Sequence, residues 1–239
     1  MQRKIYGIFV AGGQGTRMGL QTPKQFLDLG GVPVLQRSIS LFVEACPGIQ
    51  VITVLPKEHF ETWKRLCIQN NFDCPQKIVE GGITRFHSVK NALAHVPDGA
   101  VVMIHDGVRP LISAQLVRSI AARMEECRAV IPVLPVTDTL KALEKSPSGD
   151  LVHSPADDPD RSGLFGAQTP QTFLSEDIKA AYGQGYDLAF TDDASVAARK
   201  EIPLTYVQGE RLNIKITTQE DLVLAEAVLS LRERRSYNP

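Results

Sequence analysis

The sequence has few cysteines, and their spacing fits no metal or disulfide framework. No two of them form a C-x-x-C pair, and no histidine cluster completes a zinc spacing, which argues against a metal–thiolate site. A chain of 239 residues buries enough surface to fold without disulfides or metal. Scattered thiols in a chain of this size are typical of reduced residues in a cytoplasmic protein. The four are Cys46, Cys67, Cys74 and Cys127.

The sequence also lacks a long apolar segment. No run approaches the roughly 18 apolar residues that span a bilayer. Arg3 and Lys4 precede the apolar residues 5–11 as basic residues precede the core of a signal peptide, but a glycine-rich basic loop follows instead of a cleavage site. We therefore interpret this run as a buried strand, and we expect a cytoplasmic protein with no membrane partner.

Neither sign of charge is in excess, since 26 Lys and Arg residues oppose 27 Asp and Glu residues, for a formal net charge of −1. Proteins that coat nucleic acid or anionic membranes usually carry a large basic excess, so we expect no nucleic-acid partner. With 43% apolar residues, the composition is that of a folded globular protein. If the protein binds phosphate groups, its cations must be concentrated in a few places.

Short apolar runs alternate with amphipathic stretches, a pattern that predicts an α/β fold. The apolar runs are nearly continuous, as in a mostly parallel sheet with helices on both faces. The predicted strands are Ile5–Val10, Val51–Leu55, Lys77–Glu80, Val101–His105 and Ala129–Leu134. The predicted helices are Pro33–Ala45, Lys57–Asn70, Arg85–His95, Ser113–Cys127, Thr191–Lys200 and Gln219–Arg232. Thr217 and Glu220 have the spacing of a capping box before the last helix.

Residues 135–162 interrupt this alternation. Residues 135–141 are predicted as a strand, 146–150 as a turn and 151–153 as the returning strand, and a polar, proline-containing run completes the segment. A hairpin with so little apolar content is not core, and the segment is long for a plain connection. We expect a single domain over residues 1–239, with 135–162 as a projecting β-arm that packs on a second copy of the chain.

A glycine-rich loop with two cations follows the first predicted strand. It reads VAGGQGTRMG over residues 10–19 and TPKQF over residues 22–26. The glycines let backbone N–H groups approach a phosphate, and Arg17 and Lys24 can bind its oxygens. The loop has no G-K-[ST] of a Walker A motif, and Gly19 lies one position beyond the dinucleotide fingerprint. The alternative is a plain turn with cations that serve solubility.

A second glycine motif, GGITRFHSV, occupies residues 81–89. Its paired glycines open a helix with Arg85 and Ser88 in the first turns, and a helix start offers free N–H donors to a nucleotide. A Gly-Gly pair before a helix is also common without any binding role.

The most apolar predicted strand ends in HDGVRP at residues 105–110. Ligands of open α/β sheets bind at the carboxyl ends of strands, which favours a functional role for Asp106 and Arg109. The two residues also fit a structural ion pair that caps the strand. We interpret His105 as a packing residue rather than a base.

The first loop, with its PKQF, resembles the signature loop of nucleotidyltransferases that activate a sugar or polyol phosphate. It is similar to that of the 2-C-methyl-D-erythritol 4-phosphate cytidylyltransferase family of the non-mevalonate isoprenoid pathway. The family's later motifs, G-G-x-x-R-x-x-S-V, H-D-A-x-R-P, D-T, R-x-G-L, T-P-Q-x-F, T-D-[DE]-A-S and N-I-K-x-T, follow in order. They occupy residues 81–89, 105–110, 138–139, 161–164, 169–173, 191–195 and 213–217. The resemblance runs from Ile8 to about Leu229, and the sequence departs from it at Gly107, where the family usually has Ala.

The resemblance implies a Rossmann-like, GT-A-like nucleotidyltransferase fold. The implied reaction is the attack of methylerythritol 4-phosphate on the α-phosphorus of CTP, which gives 4-diphosphocytidyl-2-C-methyl-D-erythritol and pyrophosphate. It also implies a homodimer and Mg²⁺ held mainly by phosphate oxygens, with Asp106 as a candidate protein ligand. Such chemistry needs in-line positioning and charge neutralisation rather than a protein nucleophile.

The resemblance also assigns roles to single residues. The cations that stabilise the triphosphate and the reacting phosphorus are Arg17, Lys24 and Lys215. The residues expected to bind the nucleotide are Ala11, Gly12, Gly13, Gly15, Gly82, Arg85, Ser88, Asp106 and Gly107. The residues expected to bind the polyol phosphate are Asp106, Arg109 and Thr191, with Thr139 and Arg161 from the arm of the partner subunit.

Two other functions remain open. A ribitol-5-phosphate cytidylyltransferase has a similar first loop and H-D-x-V-R-P, and Val108 favours it. Residues 135–141 and the DDAS at 192–195 favour the methylerythritol enzyme. A non-catalytic nucleotide sensor would keep the glycines but would not need Arg17, Lys24 and Lys215 together. The glycine spacing disfavours a dehydrogenase.

Overall fold

The computed structural model describes residues 3–13 and 22–237. Its strands are β1 (Ile5–Val10), β2 (Gln50–Leu55), β3 (Gln76–Glu80), β4 (Val101–Asp106), β5 (Ala129–Pro135), β6 (Leu143–Lys145), β7 (Leu151–His153), β8 (Phe165–Ala167), β9 (Gln171–Leu174) and β10 (Thr205–Gln208). Its helices are α1 (Val34–Ala45), α2 (Phe60–Gln69), α3 (Arg85–Leu93), α4 (Ala114–Arg123), α5 (Ser175–Tyr182), α6 (Asp193–Ala198) and α7 (Gln219–Tyr237). No helix of the described residues is both long and apolar enough to cross a membrane.

A mostly parallel sheet forms the centre of the protein, in the order β10-β5-β9-β4-β1-β2-β3, with β8 beside β5. The pairs of β1 with β2 and β4, of β2 with β3 and of β5 with β10 are parallel. Strands β8 and β9 run antiparallel to their neighbours. The predicted α/β class with a mostly parallel sheet is confirmed.

Helices cover both faces of the sheet because neighbouring strand residues point to opposite sides. Ile8 of β1 packs in a core with residues of α3, α5 and α6. Phe9, the next residue, packs in a second core with residues of α1, α2 and α4. Each core contains more than a dozen buried side chains, and β4, near the middle of the sheet, is buried over its whole length. The sheet is therefore a rigid platform for the loops at its ends.

The predicted arm contains a hairpin, but the strand predicted over residues 135–141 is wrong. Strand β5 continues to Pro135, and the hairpin pairs β6 with β7 as a separate two-stranded sheet. The turn sets this register: Ser146 N–H donates to Asp150 O (2.9 Å), and Gly149 has a positive φ of 91°. The pairing residues therefore lie directly beside the turn.

The predicted capping box of Thr217 and Glu220 is also wrong by one position. The backbone N–H of Thr218 donates to Asp221 Oδ2 (2.9 Å), and that of Asp221 donates to Thr218 Oγ1 (3.3 Å). The Asp221 carboxylate also accepts from the Thr217 backbone and hydroxyl. Asp221 thus satisfies three donors at the start of α7, which Glu220 does not.

Candidate functional site

A cleft of about 280 Å³ opens at the carboxyl ends of β1 and β4. The loop after β1 forms one wall, the loop between β3 and α3 forms another, and the end of β4 forms the floor. Nine of the residues singled out from the sequence line it: Ala11, Gly12, Gly13, Lys24, Gly82, Arg85, Ser88, Asp106 and Lys215. This is the position at which open α/β sheets bind ligands.

The wall after β1 begins with a fixed backbone. Ala11 N–H donates to Val54 O of the neighbouring strand (2.9 Å), and Ala11 O accepts from Gln25 Nε2 (3.0 Å). A Cβ placed on Gly13 would lie 3.9 Å from Lys24 Cε, so the lysine runs alongside the glycines. Gln25 is buried and was not assigned a role from the sequence, although it stands in the PKQF motif.

The wall between β3 and α3 is held by Ser88. Its hydroxyl donates to Thr84 O (3.0 Å) and accepts from the N–H of Gly82 (3.0 Å). A Cβ on Gly82 would lie 2.3 Å from His87 Cβ and 2.9 Å from the His87 carbonyl carbon, so only glycine fits there. The Thr84 side chain caps α3.

Asp106 forms the floor and attracts three cations. Lys215 Nζ lies 3.1 Å and Arg109 Nε 3.2 Å from Asp106 Oδ2, and Arg85 Nε lies 3.8 Å from Oδ1. Burial by itself would raise the pKa of Asp106, but Arg85, Lys215 and Arg109 outweigh it and hold the pKa well below the usual range. The carboxylate is therefore ionised under all ordinary conditions.

A buried histidine supports the floor from behind. His105 is fully buried beside the rings of Phe9 and Phe42. Its Nε2 lies 3.1 Å from Arg109 O, and its Nδ1 lies 3.0 Å from Thr169 Oγ1, which accepts from the N–H of Asp106. Since a carbonyl only accepts, Nε2 carries the proton and the Thr169 hydroxyl donates to Nδ1. Burial lowers the pKa of His105 to about 4, so the ring is neutral and acts as packing, as the sequence indicated.

Comparison with known proteins gives one family. The model of the family described as IspD, 2-C-methyl-D-erythritol 4-phosphate cytidylyltransferase, matches residues 5–231. A protein of that name from Bacteroides fragilis is 44% identical over 222 residues, which cover 93% of this chain and 98% of the relative. One from Porphyromonas gingivalis W83 is 41% identical over 231 residues, covering 96% of this chain and all of the relative.

Solved structures agree with the sequence relatives. The crystal structure of 4-diphosphocytidyl-2C-methyl-D-erythritol synthase from Anaerococcus prevotii is 27% identical, has a TM-score of 0.76, and is matched over 96% of this chain and all of that one. The enzyme from Thermus thermophilus is 28% identical with a TM-score of 0.68, over 95% of this chain and 98% of that one. The chain belongs to the IspD family.

Arg109 does not line the cleft of this IspD family member. Besides its contact with Asp106, its Nη1 donates to Asn213 O (2.7 Å). Asn213 is fully buried and its Nδ2 donates to Thr169 O (2.9 Å). The Asp106–Arg109 ion pair that the sequence suggested as an alternative is thus present. Through its bond to Asn213 O, Arg109 also connects the end of β4 to the segment that carries Lys215.

Gly107 lies behind the floor rather than on it. Its N–H donates to Val10 O (2.9 Å), and its carbonyl accepts from Ser38 Oγ (3.1 Å). The alanine usual in the IspD family would place a Cβ 2.7 Å from Leu35 Cδ1. Because Gly107 has no Cβ, the Leu35 side chain can pack in the space that an alanine methyl group would take.

The three other residues predicted for the polyol phosphate do not line the cleft of their own chain. Thr139 and Arg161 are exposed on the arm, where Arg161 donates to Thr137 O. Thr191 is exposed just before α6. Gly15 and Arg17 lie outside the described residues.

Asp106 is the protein group that fits a magnesium ion. Mg²⁺ is usually bound by one or two carboxylates together with substrate phosphates. Among the described residues, no group of three or more His, Cys, Asp and Glu side chains forms a metal cage, and Asp106 offers one ionised carboxylate at the cleft.

Proposed function

We propose that this protein transfers the cytidylyl group of CTP to 2-C-methyl-D-erythritol 4-phosphate, releasing pyrophosphate. The observation that carries the proposal is the juxtaposition of glycine-rich backbone with Lys24, Arg85 and Lys215 around one cleft. Glycines expose N–H donors, and clustered cations neutralise phosphate charge. The family to which the chain belongs is named for this reaction.

The site favours substrate positioning over covalent catalysis. The attacking phosphate oxygen is already an anion at neutral pH, so no base is required to generate it. The hydroxyls of Ser88 and Thr84 in the described cleft are engaged in hydrogen bonds of the β3–α3 loop. In-line placement of two anions and stabilisation of the charge that develops at phosphorus are what the cations can supply.

The proposed roles combine the places of the described residues with the family resemblance. Lys24 and Lys215, with Arg17, would stabilise the triphosphate, while Gly82, Arg85 and Ser88 would bind the base and ribose. Asp106 would hold Mg²⁺, which would supply positive charge to neutralise the phosphate groups of the substrates. Asp106 would face the polyol phosphate; the family resemblance gives the same role to Arg109 and Thr191, although neither lines the cleft of its own chain.

The second substrate site is proposed to be completed by a partner subunit. The β6–β7 hairpin exposes Leu143, Leu151 and Val152, whose exposed fractions are 48%, 67% and 41%. Because an isolated two-stranded hairpin is marginally stable in water, packing these apolar side chains against another surface would stabilise it. A homodimer in which each arm covers the other subunit would bury them and would bring Thr139 and Arg161 to the partner's cleft.

We infer a cytoplasmic location from the thiols. All four cysteines lie within the described residues and none is in a disulfide. Burial raises the pKa of Cys46, Cys67 and Cys74, which keeps these thiols protonated and unreactive.

The decisive experiment measures pyrophosphate release from CTP with Mg²⁺, in parallel with methylerythritol 4-phosphate and with ribitol 5-phosphate. Release with the first alone is the expected result. Release with ribitol phosphate alone would establish the alternative activity, to which Val108 points. Tight CTP binding without release with either acceptor would indicate a nucleotide sensor.

A further inference from the structure

Arg85 is held by a carboxylate that no motif assignment uses. Its Nη1 and Nη2 donate to Asp193 Oδ1 and Oδ2 at 2.8 and 2.6 Å, a bidentate pair. Asp193 is fully buried, whereas the Arg85 side chain, which lines the cleft, is 28% exposed. Burial would lower the pKa of Arg85, but Asp193 outweighs burial and raises it. The guanidinium therefore stays charged.

The carboxylate of Asp193 is itself fixed from two sides. Tyr182 Oη, buried on α5, donates to Asp193 Oδ1 (2.6 Å). The neighbouring Asp192 caps α6, and the buried Gln171 of β9 joins it, donating to Asp192 Oδ2 (2.7 Å) and accepting from Ala194 N (2.8 Å). Asp193 is thus attached to the sheet through β9 and to α5.

Without Asp193, the arginine has a competing partner. Asp106 Oδ1 lies 3.8 Å from Arg85 Nε, and the same carboxylate already contacts Lys215 and Arg109. These three cations and the carboxylates of Asp106 and Asp193 leave one positive charge in excess at the cleft. Loss of Asp193 would let Arg85 move onto the floor, away from the wall that it now forms, and would disturb Lys215.

We propose that Asp193 is a positioning residue for nucleotide binding, which holds Arg85 at the wall of the cleft and limits its approach to Asp106 to the contact of 3.8 Å. This rests on the proposed function only in taking CTP as the ligand of the cleft. Tyr182 supports the same carboxylate and acts one step further away. Neither side chain lines the cleft.

The first test is the affinity for CTP with Mg²⁺, measured by calorimetry on the full chain. Asp193→Asn keeps the shape but removes the charge, and we expect CTP to bind about 10- to 100-fold more weakly, the usual cost of a lost charge-assisted bond. Tyr182→Phe removes one hydrogen bond to Asp193 but keeps the carboxylate. It therefore provides a second test of the proposal should Asp193→Asn fail to fold. For it we expect a loss of about two- to tenfold.

A double-mutant cycle separates positioning from general stability. In Arg85→Gln the nucleotide contact is already lost, so adding Asp193→Asn should leave CTP affinity unchanged. The same addition should raise Tm, because it neutralises a buried carboxylate that Arg85→Gln has left without its cation. In the wild-type background Asp193→Asn should lower both the affinity for CTP and Tm. An equal loss of CTP affinity in both backgrounds would overturn the proposal.

Asp177→Asn is the matched control. Asp177 is a largely buried carboxylate on α5 that pairs with Arg128 and does not line the cleft. It should leave CTP affinity at the wild-type value. If the wild-type protein itself binds no CTP, the proposed function fails. If it binds CTP and Asp193→Asn binds it equally well, the positioning role alone fails.

Discussion

Two lysines of this chain occupy the same local structure, and one of them lines the cleft. Lys24 begins a short 3-10 helix after Pro23, and Lys57 begins another after Pro56. We expect Lys24→Ala to lower kcat by about 10²- to 10³-fold, because a lost electrostatic contact to the developing charge typically costs that much. The same loss is expected for Arg17→Ala.

The matched control for Lys24 is Lys57→Ala, assayed by pyrophosphate release and thermal unfolding. It removes an equivalent lysine outside the cleft and should leave kcat at the wild-type level. Lys24→Ala and Lys57→Ala should unfold within a few degrees of the wild type, because substitutions of incompletely buried lysines rarely change stability by more than about 0.5 kcal/mol. A folded Lys24→Ala with near-normal turnover would contradict the assigned role.

His105 gives the protein a pH-dependent stability. Its pKa is about 4 in the folded chain and about 6.5 when unfolded, so between these values the unfolded state binds the extra proton. The free energy of unfolding should fall as the pH drops from about 6.5 to 4, by about 3 kcal/mol for a pKa difference of about 2.5. Outside that pH window the contribution of His105 should be constant. The lowered pKa of Asp106 acts in the same direction at lower pH: its stabilisation is fully present above its unfolded pKa near 4 and is lost in stronger acid.

Urea unfolding over a pH series tests this assignment. His105→Gln should be less stable than the wild type at pH 7, since the contacts with Thr169 and Arg109 are weakened. Its free energy of unfolding should nevertheless decline less steeply between pH 6.5 and 4. The other four histidines remain in both proteins and cancel in the comparison. An unchanged slope in the variant would show that another group binds the proton.

At the scale of elements, the sequence predicts most parallel strands of the central sheet and misses both of its antiparallel strands. The five predicted strands are apolar and form β1–β5, whereas β8, β9, β10 and helix α5 were not predicted. Strand β9 is fully buried yet begins with Gln171 and contains Thr172, so it lacks the continuous apolar run of the others. It exists because β4 and β5 pair with it from both sides, and such long-range pairing leaves no local pattern.

The arm is a second place where long-range contacts made the predicted strand wrong. Its turn residues were identified, but the strand before the turn was placed too early, over apolar and β-branched residues of 135–141. In the structure that stretch is fixed by other contacts, among them Val136 N–H to Leu164 O (3.0 Å) and the ion pair of Lys141 with Asp158. Both depend on residues more than 15 positions away, which propensity cannot anticipate.

At the scale of the molecule, the motifs identify the residues of the cleft but not their partnerships. Lys215 and Arg85 reach Asp106 from elements far apart in the chain, and only the folded sheet brings them together. The sequence therefore supports the choice of Asp106 and its pairing with Arg109 but gives no sign that Lys215 and Arg85 also contact it. Asp193 stands in the motif at residues 191–195, yet nothing in that motif indicates its pairing with Arg85, and its neighbour Asp192 caps α6. Motifs indicate which residue types line the cleft, whereas the ion pairs between them can be identified only from the folded structure.

The proposed sharing of the site between subunits can be tested by mixing two inactive variants. Lys24→Ala removes a cation from the cleft, and Arg161→Ala removes one from the arm, which does not line the cleft of its own chain. If the arm serves the partner, a mixed dimer contains one site with both defects and one intact site. Co-expressed chains with different tags, purified as mixed dimers, should then recover about half of the wild-type turnover per dimer.

The same mixed dimer distinguishes the other arrangement. If Arg161 acted in its own subunit, both sites of the mixed dimer would carry one defect, and turnover would stay as low as in the parent variants. Gel filtration of the wild type gives the companion measurement, since a monomer mass at assay concentrations would also exclude a shared site. Recovery to about half requires three things together: a dimer, an arm that crosses to the partner, and Lys24 and Arg161 acting on one pair of substrates. No single-chain variant can test these three jointly.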